Sequence, residues 1–228
     1  AGIIDAAVRT GRGIALIEAL AQLIQRLAIS QLHIIGDIYD RGPHPDVIME
    51  TLQAQRKVDI QWGNHDIVWM GAASGSRTLV ATVLSNSIRY NNLDVIETGY
   101  GISLRPLSIF ANEVYKNSNT DQFKVKLTGT DADQYTEKDK LLSARMYKAI
   151  TIILFKLEGQ TILRHPNWQM DDRLLLEHVD PARGVVTIDG VEHKMRTSDF
   201  PTLDPQNPYS LSEGEQVVME NLMSAVLH

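Results

Sequence analysis

Apolar residues recur at helical spacing between Ile14 and Leu27, where Leu16, Ile17, Leu20, Leu23, Ile24 and Leu27 fall on one face. Gly11 and Gly13 separate this helix from a shorter helical stretch over 3–9. The period then changes. Leu32 to Ile35 is a brief, continuous apolar run that reads as a buried strand. Pro43 and Pro45 open a helix over 46–55, with Val47, Ile48, Met49 and Leu52 on its apolar side. Val58 to Trp62 reads as the next strand. A strand, a helix and a second strand at this spacing predict two adjacent parallel strands joined by a right-handed crossover.

Beyond Trp62 the pattern is mostly helical. Helices are expected over 66–73 and 77–90, with the small residues from Gly71 to Gly75 allowing close packing. A short helix over 93–99 and a longer one over 102–116, broken near Pro106, follow. Residues 117–137 are polar and read as loop, with an extended piece over 123–127. Asp131 and Asp133 resemble the start of a calcium loop, but the Gly and Glu that such a loop requires do not follow, so they read as solvated. Thr136 caps a helix over 137–157 that is expected to end at Gly159. The middle of that helix, Met146 to Phe155, is apolar nearly all round, which predicts burial between helices of this chain or against a second copy in a homo-oligomer. A short helix is expected over 172–179, then a hairpin with strands 185–188 and 191–195 about an Asp189-Gly190 turn. Three prolines make 199–209 an extended loop, and Ser212 with Glu215 forms a capping box for a last helix. The chain divides in this reading into 1–116 and a helix-rich 117–228.

Composition narrows the function classes. A net charge of −6, with no run of Lys or Arg, argues against nucleic acid as a partner. No apolar run approaches the roughly 20 residues that cross a bilayer, so no membrane role is expected. Cysteine is absent, so nothing points to a disulfide scaffold, and the cytoplasm is the expected location. Ala1 lies in a helical pattern without an initiator Met, and His228 lies in another without a stop signal. A piece of a longer protein is the expectation.

The chemistry collects where the two predicted strands end. Gly36-Asp37-Ile38-Tyr39-Asp40-Arg41-Gly42 follows the first, and Gly63-Asn64-His65-Asp66 follows the second. Side chains at the carboxyl ends of parallel strands fall in the crevice where α/β sheets bind ligands. Asp37 and Asn64 offer hard oxygen donors suited to Mg or Mn. His65 can serve as an acid, Asp40 can orient it, and Arg41 can hold a phosphate with two parallel hydrogen bonds. Either block alone is an ordinary turn or helix cap. Together they form the larger part of a metal-assisted phosphate-ester site. His33 is a candidate core residue, and His165, His178 and His193 lie in a loop, a helix and a hairpin strand, away from the strand ends.

The two blocks resemble the GDxxDRG and GNH(D/E) motifs of the calcineurin-like metallophosphoesterases. The flanks are similar to bacterial class III fructose-1,6-bisphosphatase: Val58 to Trp62, Ile67 to Ala73, Tyr100 to Leu107, Phe155 to Gln160 and Phe200 to Leu211. The resemblance covers essentially the whole chain. It implies an α/β fold built on part of a metallophosphoesterase sandwich, with a helix-rich remainder and a C-terminal hairpin. It implies fructose 1,6-bisphosphate as substrate, hydrolysed at its 1-phosphate in gluconeogenesis by two-metal chemistry with Mn2+ or Mg2+. Asp37 and Asn64 would be metal ligands, His65 the acid on the leaving group, Asp40 its support and Arg41 the phosphate grip.

The resemblance also exposes a gap. The superfamily pattern includes an Asp-x-His and a Gly-His-x-His, and neither occurs here. Two ligands out of a larger set are expected to leave this chain alone without bound metal and inactive. A protein phosphatase, a dinucleotide polyphosphate phosphatase, or a non-catalytic module keeping the motif pair are the rival expectations.

Overall fold

The computed structural model describes residues 2–28, 30–127 and 135–227; Asp131 and Asp133 lie outside them. Helices α1 (Gly2–Arg9) and α2 (Gly13–Ala28) come first. Then β1 (Leu32–Ile34), α3 (Pro45–Gln53) and β2 (Val58–Ile60) form the strand–helix–strand unit. The strands are adjacent and parallel, with Leu32 opposite Val58, His33 opposite Asp59 and Ile34 opposite Ile60. Leu32 and Ile34 are half-buried on one face. His33 points to the other, where its Nδ1 lies 2.7 Å from Asp59 Oδ2. The expectation that His33 belongs to the core is therefore corrected. Side chains alternate across a strand, and this position faces outward beside a carboxylate.

The main core is helical. Helices α4 (Asn64–Ala73), α5 (Arg77–Arg89), α6 (Arg105–Val114), α7 (Glu137–Arg164) and α8 (Glu213–Leu227) supply it. Both α5 and α6 pack on α7, α4 packs on α5, and α8 closes over α4, α5 and α6. Val80, Leu84, Ile88, Leu107, Ile150, Ile153, Met219 and Leu222 meet in the centre. Residues 95–99 form a π-helical turn rather than part of a regular helix. Pro106 sits in the first turn of α6, where its missing N–H costs nothing, so it starts that helix instead of breaking one.

Thr136 caps α7 as expected, its hydroxyl accepting from Asp139 N while the Asp139 carboxylate accepts from Thr136 N. The other end differs. Helix α7 runs through Gly159 to Arg164. A Cβ on Gly159 would collide with the Tyr209 ring, so this glycine makes room for a packed aromatic and terminates nothing.

Two lysines lie wholly inside this assembly. Lys148 Nζ donates to Asp199 Oδ1 at 2.7 Å and to Asn119 O at 2.9 Å. Lys156 Nζ donates to Glu215 Oε2 at 2.7 Å and to Thr202 O at 2.6 Å. Glu215 is also the capping-box acid of α8, accepting from Ser212 N at 2.8 Å.

The helix expected over 172–179 resolves into two 3-10 turns, 171–173 and 176–178, leading into β3 (Val179–Asp180). That strand pairs antiparallel with β4 (Val185–Ile188), which forms the expected hairpin with β5 (Val191–Lys194). Asp189 and Gly190 both take positive φ in the turn, 51° and 76°, as a two-residue hairpin of this type requires. Helices α1 and α2 stand apart. Neither buries a residue, and Ile14, Ile17 and Leu27 are 75%, 69% and 76% exposed. The whole is an α/β chain in which helix predominates.

Gly159→Ala is expected to lower stability by about 1–3 kcal/mol through overpacking, read as a fall in the urea midpoint at unchanged slope. The same substitution in a Tyr209→Ala background should cost far less. Equal losses in both backgrounds would show that the ring contact is not the cause.

Candidate active site

The loops after β1 and β2 touch through two glycines. Gly36 has φ 91°, and a Cβ there would meet the backbone of Gln61, Trp62 and Gly63. A Cβ on Gly63 would run into the Asp37 carboxylate. Asp37 itself takes a left-handed φ of 55°, a conformation that aspartate tolerates better than most residues.

Asp66 secures this arrangement. It lies in the first turn of α4 and is 5% exposed. Its carboxylate accepts Gly63 N at 2.8 Å, Asp37 N at 2.6 Å and Tyr39 N at 3.1 Å. An acid there also faces the positive end of the α4 dipole. In the sequence Asp66 reads only as a helix cap. The signal for more was its place three residues after Gly63, the acid position of a capping box.

Of the five residues singled out in the sequence, all stand on these two loops or the start of α4. Asp37 is exposed, and its Oδ1 accepts His65 N at 3.3 Å. Asn64 is the first residue of α4 and is exposed. His65 Nε2 lies 3.1 Å from Asp40 Oδ1. Arg41 Nε and Nη2 donate to the two Asp40 oxygens at 2.8 and 3.1 Å. Asp40 thus sits between an imidazole and a guanidinium. The hydrogen bonds from Arg41, aided by attraction to His65, hold its carboxyl below the usual aspartate range.

The residues fit a metal in part. Asp37 and Asn64 are two oxygen donors, against the about six that Mg or Mn takes. Among the described residues no three His, Cys, Asp or Glu side chains converge as a metal shell. Two such donors do not by themselves make a closed shell.

Behind the loop lies an aromatic group that sequence reading did not connect. The Tyr39 ring stacks on Trp69 at 4.7 Å, and its hydroxyl is 2.8 Å from that of Tyr100. Burial and the Tyr39 contact push the Tyr100 phenol up. These rings, with Met49, Trp62 and Leu222, line an apolar cavity of about 350 Å³. Residues this far apart carry no local signal of their meeting.

A family model described as Firmicute fructose-1,6-bisphosphatase matches residues 1–228. The chain belongs to that family. Among curated relatives of this fructose-1,6-bisphosphatase family, a protein of Alkaliphilus metalliredigens named fructose-1,6-bisphosphatase class 3 is 49% identical over 226 residues, which is 99% of this chain and 34% of the relative. One of Clostridium beijerinckii, named fructose-1,6-bisphosphatase class 3 1, is 49% identical over 227 residues, 99% of this chain and 34% of its own length. A Listeria monocytogenes protein named fructose-1,6-bisphosphatase class 3 is 46% identical over 223 residues, covering 98% and 34%. The chain therefore spans about a third of the length of the curated relatives it matches. No solved structure matches it.

Asp66→Ala should release three backbone N–H groups at once, each left without its acceptor at a cost of about 1–3 kcal/mol where water cannot reach it. Hydrogen exchange at Asp37, Tyr39 and Gly63 is expected to speed up far more than at Ile150. Unchanged exchange at the three loop amides would remove Asp66 from this role. The Asp40 pairing makes a separate prediction. Because its folded-state pKa is depressed, its contribution is present above the ordinary aspartate value and is lost as pH falls through the lowered one. Carboxyl NMR should show Asp40 titrating below its ordinary value, and Arg41→Gln should move it back up.

Proposed function

We propose that this chain is the part of a fructose-1,6-bisphosphatase that carries one wall of its phosphate-ester site, with Mn2+ or Mg2+ as the metal. The observation that carries the reading is the convergence of the Asp37–Arg41 loop with Asn64 and His65, held by Asp66. The names of the relatives point to the substrate, fructose 1,6-bisphosphate; its hydrolysis to fructose 6-phosphate, in gluconeogenesis, is part of the proposal. The parallel β1–β2 pair with its crossover helix is consistent with an edge of a calcineurin-like sandwich.

In this reading each residue has one task. Asp37 and Asn64 hold metal from one side, and the metal would polarise the phosphate and supply the nucleophile. His65 has Nε2 directed at Asp40, which leaves Nδ1 to face a substrate and protonate the departing alkoxide. Asp40 keeps the ring oriented and stabilises its charged form. Arg41 pairs with the same carboxylate, which its guanidinium can exchange for an incoming phosphate. Cytoplasmic location and a homo-oligomer belong to the same proposal.

The donor count separates the whole protein from this stretch. Two oxygens do not fix a hard dication, so residues 1–228 alone are expected to release no phosphate from fructose 1,6-bisphosphate. The protein that contains them is expected to do so with Mn present. There, His65→Ala should lower kcat by about 10²–10⁴-fold, the usual worth of a positioned proton donor, with a smaller loss on substrates whose leaving group needs no proton. Full activity in the variant would remove His65 from the reaction. No phosphate release by the parent protein would overturn the bisphosphatase reading itself.

A further inference from the structure

Three cationic side chains gather around one ring at the edge of this site. Arg41 Cζ is 5.1 Å from the Tyr90 ring centroid, Arg89 Cζ is 5.6 Å from it and Lys126 Nζ is 4.8 Å from it. Of the three, Arg41 is neutralised by Asp40. Arg89 and Lys126 have no carboxylate within 4.0 Å among the described residues. Both are exposed. In a chain of net charge −6, two cations from different segments that meet without a carboxylate partner among the described residues are a local reversal of sign.

Ordinary causes explain only part of this. Arg89 ends α5, where a helix C-terminus favours a cation. Lys126 comes from elsewhere, a segment that reaches α5 through the hydrogen bond from Lys126 N to Arg89 O at 2.8 Å. That bond fixes the lysine stem beside the ring, so its position is built and not accidental. A narrow cleft also joins the cluster to the catalytic loop. Asp40, Arg41 and His65 line it together with Tyr90, Asn86 and Asn92.

We propose that Arg89 and Lys126, seated on Tyr90, bind the second, non-reacting phosphate of a sugar bisphosphate. The proposal rests on the bisphosphatase reading above and adds the residues that would prefer a bisphosphate to a monophosphate. Arg41 Cζ and Lys126 Nζ lie 5.1 and 4.8 Å from the same Tyr90 centroid, so the reacting and the distal phosphate sites stand no farther apart than the two phosphates of one hexose can reach. Asn86 and Asn92 line the same cleft as Arg41 and Tyr90, and their amides can meet sugar hydroxyls there. Dianionic phosphate against two cations at an exposed site also predicts strong weakening by salt.

The two phosphates can be tested one at a time on the complete protein. Fructose 6-phosphate carries only the distal group, and fructose 1-phosphate only the reacting one. Calorimetric titration at low ionic strength should show that Lys126→Gln and Arg89→Gln each weaken fructose 6-phosphate by about tenfold, the scale of one charge-assisted contact. Fructose 1-phosphate binding should stay within about twofold, and Lys126→Arg should restore most of the loss. Wild-type-like binding of fructose 6-phosphate by both Gln variants overturns the proposal, as does equal weakening of the two sugars. In either of those cases the bisphosphatase reading survives. A wild-type protein that binds neither sugar phosphate and releases no phosphate from fructose 1,6-bisphosphate overturns both; one that binds neither yet releases phosphate overturns this proposal alone.

Discussion

Asp66 lies at the start of α4 with its carboxylate under three backbone N–H groups drawn from two loops. A buried carboxylate without such donors would be costly; with them it becomes the point to which both loops are tied. Asp37 is thereby held in a left-handed conformation against Gly63. Tyr39 is held with its ring over Trp69, and the next turn brings Asp40 to His65. The exposed chemistry depends on a carboxylate that does not reach the solvent.

A second polar centre organises the helical half. Glu215 starts α8 by accepting Ser212 N, yet its other bonds go to Lys156 and to Thr202 Oγ1 at 2.6 Å. One side chain therefore fixes where α8 begins and where it sits against α7. Both charges are fully buried, and such a pair adds less stability than its short distance implies, because desolvation opposes the attraction. What it supplies is registry: apolar contacts between α7 and α8 could slide by a turn, whereas this carboxylate has one position in which all its donors are met.

Local signals were legible in the sequence and distant partners were not. The β1–β2 pairing, the crossover helix, the Thr136 and Ser212 caps and the Asp189-Gly190 turn all depend on residues close together in the chain. Each was read correctly. The meeting of the two motif loops was legible for the same reason, since each follows directly on one of two paired strands. Gly159 was misread because a glycine looks the same whether it ends a helix or receives a ring, and Tyr209 is far along the chain. His33 was misread because its partner, Asp59, lies on the other strand. Lys148 and Lys156 interrupt an apolar run without showing that Asp199 and Glu215 wait for them. The Tyr90 cluster was likewise invisible, being assembled from three separate segments.

The outward-facing leucines and isoleucines of α2 have a thermodynamic consequence. Heat capacity and denaturant sensitivity of unfolding both scale with the surface newly brought into water. Residues 2–28 bury no side chain against the helical core, so their loss of structure wets little that is not wet already. In the chain as it stands, these two helices would melt outside the main cooperative transition and add almost nothing to its calorimetric peak. A full-sized contribution from them would be the mark of a surface that has come to cover their apolar face.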